Sequence, residues 1–301
     1  MSEQQRDQWA QWLLQRRHGG DQHYLQEMLS TLYHYRDTVL EHAHIQAGET
    51  LLDIGCGDGL IAFGALSYVG EQGKVIFSDI SQDLLRHCQT LAAQQGVQDR
   101  CHFIQASAED LSSLKANSVD VITARSVLIY IHEKRQVFRE FYRVLKPGGR
   151  FSIFEPIIRF VLPEPPHIFA GYDVTPIMPI IQKLRPAPVS SQSASSHPML
   201  DFDEHDLLCF AEEAGFPELY LELQIAITPG NGEKSPAGQQ MCWETFLRSS
   251  PNPLAPTLEE VMHQKLSKDE RDQMTAYLQP LVETRQKVSR SAGAYLWGTK
   301  R

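Results

Sequence analysis

The chain is predicted to fold as an α/β protein, a doubly wound, mostly parallel sheet with helices on both faces. Three observations carry this. Between residues 50 and 155 short apolar runs of strand length alternate with helix-length segments, the rhythm that right-handed crossovers between parallel strands produce. The first apolar run, Leu51-Leu52-Asp53-Ile54, passes directly into Gly55-Cys56-Gly57-Asp58-Gly59 and then into a helix. With 42% hydrophobic and 22% charged residues over 301 positions, the chain is long enough for one full α/β core with additions.

A short helix carrying Trp9, Trp12, Leu13 and Leu14 stops at His18-Gly19-Gly20-Asp21, where a glycine end meets an N-cap. A second helix runs to about His44, with Leu25, Met28, Leu29, Leu32, Tyr35 and Val39 at helical spacing. After Gly48 the order is strand 50–54, helix 59–69, strand 74–79, helix 81–95, strand 101–105, strand 118–124, helix 133–146 and strand 150–155. The helix before Lys146 sets Val137, Phe138, Phe141, Val144 and Leu145 on one face, and Pro147-Gly148 are turn residues that return the chain into the fifth strand.

Residues 157–202 break this rhythm with a proline-rich stretch and the run Ser190-Ser191-Gln192-Ser193-Ala194-Ser195-Ser196, which reads as an insertion. Asp203 with Asp206 has the form of a capping box opening a helix over 207–214, followed by a strand over 220–227. Residues 230–290 form a second insertion, helical after Pro256 with Leu258, Val261 and Met262 on one face, and 293–299 is the last strand. The expected organisation is therefore a helical segment 1–47, a core 48–156, an insertion 157–202, core again over 203–229, a helical insertion 230–290 and a final core strand within 291–301.

Charge narrows the partners. The 28 basic and 37 acidic residues give a net −9, and no basic run exceeds Arg16-Arg17, so the phosphate-binding stripe of a nucleic-acid protein is not expected. The five cysteines, Cys56, Cys88, Cys101, Cys209 and Cys242, are odd in number and contain no C-x-x-C pair, which speaks against a disulfide framework and a zinc site. Residues 1–17 lack an apolar signal-peptide core, and the most hydrophobic later run is interrupted by Glu155, Pro156 and Arg159. A cytoplasmic location, no membrane association and no metal are the expectations.

Glycine at every second position of 55–59 marks a ligand lying against bare backbone, since a residue without Cβ adopts positive φ and allows close approach. The spacing G-x-G-x-G is one residue short of the dinucleotide fingerprint, which argues against NAD or FAD. Ligands of open α/β sheets sit beyond the carboxyl ends of the strands, so Asp79, closing the strand Lys74-Val75-Ile76-Phe77-Ser78, is placed to accept hydrogen bonds from ribose hydroxyls.

Taken together, L-D-I-G-C-G-D-G at 51–58, S-D-I-S at 78–81 and V-L-K-P-G-G-R-F at 144–151 resemble the class I S-adenosylmethionine-dependent methyltransferases, over roughly residues 48–155. The resemblance implies a Rossmann-like seven-stranded sheet with an antiparallel last strand, N-terminal helices that lid the pocket, and S-adenosylmethionine as cofactor. It places Asp53, Gly55, Cys56, Gly57, Asp79 and Ile80 at the cofactor; Asp53 either braces the loop or reaches the methionine ammonium. Gln105-Ala106-Ser107-Ala108-Glu109-Asp110-Leu111 is similar to the adenine-cradling segment of the family, but Ser107 stands where an acid is usual, leaving the Ala108 backbone and Glu109 as candidates. Arg125, after the fourth strand, either binds the cofactor carboxylate, holds an acidic acceptor, or forms a surface ion pair.

Three residues are candidates for catalysis. His132 would take a proton from an acceptor hydroxyl or amine, or else cap the next helix. Tyr130 lies in the same stretch. Glu155 would emerge toward the acceptor and orient a cationic group or accept its proton, or else bond the lid backbone. His18 and Tyr24 are weaker candidates for closing over the cofactor. Two insertions and N-terminal helices over the carboxyl edge favour a small molecule methylated at oxygen or nitrogen. The alternatives are methylation of a protein side chain, and a cofactor-binding protein of this fold that transfers no methyl group.

Overall fold

The computed structural model describes residues 7–185, 197–230 and 241–301. The serine-rich run at 190–196 lies outside the described residues.

Five strands, β1 (Thr50–Ile54), β2 (Lys74–Asp79), β3 (Cys101–Gln105), β4 (Val119–Arg125) and β5 (Leu145–Pro156), pair in parallel. A two-stranded hairpin, β6 (Ile168–Phe169) with β7 (Tyr172–Asp173), stands apart, and β8 (Glu218–Thr228) and β9 (Ser289–Thr299) complete the main sheet. The order is β3-β2-β1-β4-β5-β9-β8, with β9 antiparallel to both neighbours. Chain order therefore reverses between β1 and β4, the point where an open α/β sheet leaves a crevice beyond its carboxyl edge.

Both faces of the central strands are buried because each alternates apolar residues to opposite sides, while the edge strand β8 is largely exposed. Leu52, Ile122, Ile153 and Leu296 join one core with Val137, Phe138 and Phe141 of α5 (Lys134–Val144) and Leu207 and Phe210 of α7 (Glu204–Ala214). Their neighbours Leu51, Val121, Phe154 and Tyr295 join the other core. There they meet α2 (Gln22–His42), α3 (Leu60–Val69) and α4 (Gln82–Gln94). The Asp203–Asp206 capping box is present, although α7 starts at Glu204, three residues before the expected helix. Pro147-Gly148 does not form a separate turn: β5 already begins at Leu145, and the pairing with β4 shifts register between Val119 and Val121.

The two insertions share one core. Tyr172, Val174, Ile177 and α6 (Met178–Leu184) pack on Trp243 of α8 (Trp243–Arg248), Met262 of α9 (Leu258–Lys265), and Met274, Leu278 and Val282 of α10 (Lys268–Glu283). Sequence separation hides this, because the cluster joins two segments that lie far apart in the chain. Among the described residues no helix is long and apolar enough to cross a membrane.

Candidate active site

The carboxyl ends of β1, β2 and β4 open into a cavity of about 390 Å³. Its floor is the loop after β1. Gly55 has φ +60° and a Cβ there would lie 2.6 Å from Val127; Gly57 has φ +56° and a Cβ there would lie 2.9 Å from Leu13. Both positions thus favour glycine for backbone conformation, and Gly55 for space as well, whereas the Leu13 methyl beside Gly57 can move aside. The loop is held from outside by Cys56 N–H donating to Ser78 O at 2.9 Å and by Gly57 N–H donating to Asp79 Oδ2 at 2.9 Å.

Asp79 also accepts the Ser81 N–H at 2.8 Å, so the end of β2 is fixed against the glycine loop while its carboxylate still lines the cavity. Burial pushes its pKa up, opposed by those two backbone donors. Asp53 is buried and braces the floor: Oδ2 accepts Ala62 N–H at 3.1 Å and Oδ1 accepts Thr123 Oγ1–H at 2.8 Å. Burial raises its pKa to about 7. Of the two expected roles, the bracing one has these bonds behind it, and the residue also lines the cavity.

Ile80, Ala108 and Glu109 line the cavity, with Ser107 and Ala106 beside them. Ser107, where an acid was expected by resemblance, accepts the Glu109 N–H at 3.3 Å and donates to Glu109 Oε2 at 3.2 Å. The serine hydroxyl thus orders this turn and orients the carboxylate that follows it.

The wall after β4 carries Arg125, Ser126 (φ +55°), Val127, Ile129, Tyr130 and Ile131. Glu155 shapes this wall from behind. Its carboxylate, fully buried, receives the N–H groups of Val127 at 2.8 Å, Leu128 at 3.0 Å and Ile129 at 3.3 Å. Desolvation raises its pKa to about 7, against the pull of those donors. The expectation that Glu155 emerges toward the acceptor is corrected: three backbone donors occupy it, and it is not among the cavity-lining residues. His132 is exposed and also outside the lining, so neither of these two residues reaches the cavity. It does not cap α5 either, whose N-cap is Glu133 without a side-chain bond.

Tyr130 does reach the cavity. Its ring meets Trp9 edge-on at 5.1 Å and Trp12 at 6.2 Å, and burial lifts its phenol to about 12. Both tryptophans come from the N-terminal lid. Here α1 (Gln8–Gln11), capped by Asp7, continues into a π-helical turn over Trp12–Arg16. Trp9 of α1, Trp12 and Leu13 of the wide turn and Arg17 after it all lie on the cavity side. Such turns cost regular hydrogen bonding and concentrate at functional sites.

The lid is pinned at both ends. Asp7 N–H donates to Asp83 Oδ2 at 2.6 Å and Ser81 Oγ–H donates to Asp7 Oδ2 at 2.7 Å. Trp12 Nε1–H donates to Ser250 O at 2.9 Å, and Ser250 N–H donates to Arg16 O at 3.1 Å. On the insertion side, buried Lys134 donates to Ile131 O, Pro198 O and Asp201 Oδ1 at 2.6, 3.0 and 2.5 Å, holding Met199 at the cavity.

Sequence reasoning missed Arg17, Met199, Ile158 and Pro251 as lining residues and placed the weaker candidates His18 and Tyr24 there instead. The signal for Arg17 was spacing. Trp9, Leu13 and Arg17 recur every four residues, on one helical face.

A glycine loop at the switch point, an acid closing the next strand and a roofed crevice define an α/β enzyme with a nucleoside-type ligand site. A family model described as a methyltransferase domain matches residues 45–169. The ubiquinone/menaquinone biosynthesis C-methyltransferase UbiE of Escherichia fergusonii is 34% identical over 182 residues, 57% of this chain and 68% of that protein. The protein of the same description from Hahella chejuensis is 31% identical, over 58% of this chain and 70% of its own. Geranyl diphosphate methyltransferase in complex with SAM shares the fold, with a TM-score of 0.53 at 17% identity, covering 94% of this chain and 91% of that one. The chain belongs to the class I S-adenosylmethionine-dependent methyltransferases, and S-adenosylmethionine is its cofactor.

Proposed function

We propose that this methyltransferase transfers its methyl group to an oxygen or nitrogen atom of a small molecule with a largely apolar body. The carrying observation is the roofed cavity, in which Trp9, Trp12, Tyr130, Ile158, Met199 and Pro251 surround the space beyond the glycine loop. A lid pinned to both α4 and the helical insertion leaves room for a compact molecule rather than for a folded protein surface. The cofactor supplies an activated methyl group on a sulfonium.

Asp79 would hold the ribose hydroxyls, the Gly55–Gly57 backbone would carry the methionine portion, and Ala108 with Glu109 would flank the adenine. Asp79, whose carboxylate lines the cavity while bonded to Gly57 and Ser81, and the positive-φ glycines of the loop fit such a ligand. Aromatic and aliphatic side chains exclude water, so the chain's contribution is positioning, which is worth several kcal/mol (about 7–11 in well-oriented intramolecular cases). Tyr130 stays protonated at neutral pH with its pKa at about 12, and so acts as a donor to a bound acceptor.

A second reading is methylation at carbon of an electron-rich ring, the reaction type named for the curated relatives. The aromatic lining suits it. One experiment separates these readings: methyl-labelled S-adenosylmethionine is incubated with the protein and a cell extract split into small-molecule and protein fractions. Label on oxygen or nitrogen of a small molecule supports the proposal and label on carbon supports the second reading, the chemical shift of the labelled methyl telling them apart. Label confined to the protein fraction overturns it.

A further inference from the structure

The cavity is lined by two basic residues among those described, Arg17 from the lid and Arg125 from the end of β4. Neither guanidinium hydrogen-bonds or ion-pairs with any described side chain, whereas Arg16, Arg36, Arg86, Arg135, Arg143, Arg150, Arg159 and Arg248 each have a carboxylate. Arg17 lies 5.3 Å over the Trp12 ring, and Arg125 continues β4 beyond Ala124, which pairs with Ile54 just before Gly55. Among the described residues no acid nearby hydrogen-bonds to either guanidinium, although the charge of Asp58 acts favourably on Arg17 and that of Arg125 on Asp53. Asp53 is engaged by Ala62 and Thr123, and Asp79 by Gly57 and Ser81.

Two like charges in a half-dry cavity repel. Burial and the charge of Arg125 together lower Arg17 to about 10. The cofactor adds a sulfonium and an ammonium to this site but only one carboxylate, so one guanidinium is left without a hydrogen-bonded anion. A guanidinium buried without a partner is expensive, and a planar carboxylate matches its fork of donors.

We infer that the acceptor carries a carboxylate, held by whichever of Arg17 and Arg125 does not bind the cofactor's own. This rests on the small-molecule reading above and names its substrate class: an aromatic or aliphatic monocarboxylate. One free guanidinium matches one negative charge. A phosphate or diphosphate would meet no lysine and no histidine in the lining. The apolar residues around the cavity then take the body of the acid, and the two arginines fix which end of it faces the methyl group.

The test uses the full chain saturated with S-adenosylhomocysteine, titrated with benzoate, cinnamate, indole-3-acetate and octanoate, with their amides, and with phenyl phosphate. The same set is run on Arg17→Met and Arg125→Met, which keep an unbranched stem and leave no carboxylate orphaned. Acids are expected to bind on the order of tenfold or more tightly than amides, the scale of a charged hydrogen-bond pair. One variant should lose S-adenosylhomocysteine affinity, while the other keeps it and loses the acid preference. Equal binding of acids and amides, binding of neither to the loaded protein, or preference for the phosphate overturns the inference while leaving the cofactor assignment intact. Failure of folded wild-type protein to bind S-adenosylhomocysteine is a different result, and it removes the cofactor reading and the inference together.

Discussion

Glu155 Oε1 accepts the backbone N–H of Val127 at 2.8 Å, and through it the end of β5 sets the wall on which Arg125 and Tyr130 stand. A carboxylate at the carboxyl edge of the sheet thus serves as the brace for a loop that faces the ligand.

Replacement of Glu155 by Ala should leave three buried N–H groups without an acceptor and destabilise the fold by about 1–3 kcal/mol. Chemical denaturation measures it. A loss below about 0.5 kcal/mol would mean that the loop has another support.

The contribution of Asp53 and Glu155 to stability should fall as pH rises from about 4 to about 7. Burial lifts Asp53 from 3.8 and Glu155 from 4.5, each to about 7, so across that window the folded chain keeps protons that the unfolded chain has released. The contribution is fully present below the unfolded values and is lost as pH passes the folded ones. Melting curves of wild type and Glu155→Gln, compared between pH 4.5 and 7, should show a shallower decline in the variant; parallel curves would contradict the assignment.

Asp79→Asn should weaken S-adenosylmethionine and S-adenosylhomocysteine alike, on the order of tenfold or more, because a charged acceptor for hydroxyls is lost. Calorimetric titration of both ligands, with NAD as control, is the measurement. Undiminished affinity in folded protein would remove Asp79 from the cofactor site.

Gly57→Ala should abolish tight cofactor binding and loosen the lid. The new Cβ would stand 2.9 Å from Leu13 Cδ2, at φ +56°. The backbone part costs about 1–2 kcal/mol in any case. Adding Leu13→Ala relieves only the contact, so the double variant should recover lid protection from proteolysis without full ligand affinity. Complete recovery would show that backbone conformation at Gly57 is unimportant.

Trp12→Phe removes the indole donor to Ser250 O and should cost about 1 kcal/mol, with faster cleavage of the segment around residues 7–20. Limited proteolysis with and without S-adenosylhomocysteine reads this directly. Equal cleavage of wild type and variant would place the anchor elsewhere.

The sheet and the floor of the site are legible in local pattern alone. Strand-to-helix periodicity places β1 to β4 within a residue, because an apolar run bounded by turn residues is a local signal, and the spacing of Gly55, Gly57 and Asp79 follows from backbone geometry at one strand end and the next. Contacts between distant segments arise only once the chain is packed. Arg17 and Met199 meet across one cavity although 182 residues separate them, and the apolar faces of α6 and α10 find each other from two insertions. Local pattern also cannot say which way a carboxylate at a strand end is satisfied. Glu155 is answered by backbone donors some 26–28 residues earlier in the chain, and that long-range choice, made by burial and hydrogen bonding, turned an expected catalytic group into the support of the wall.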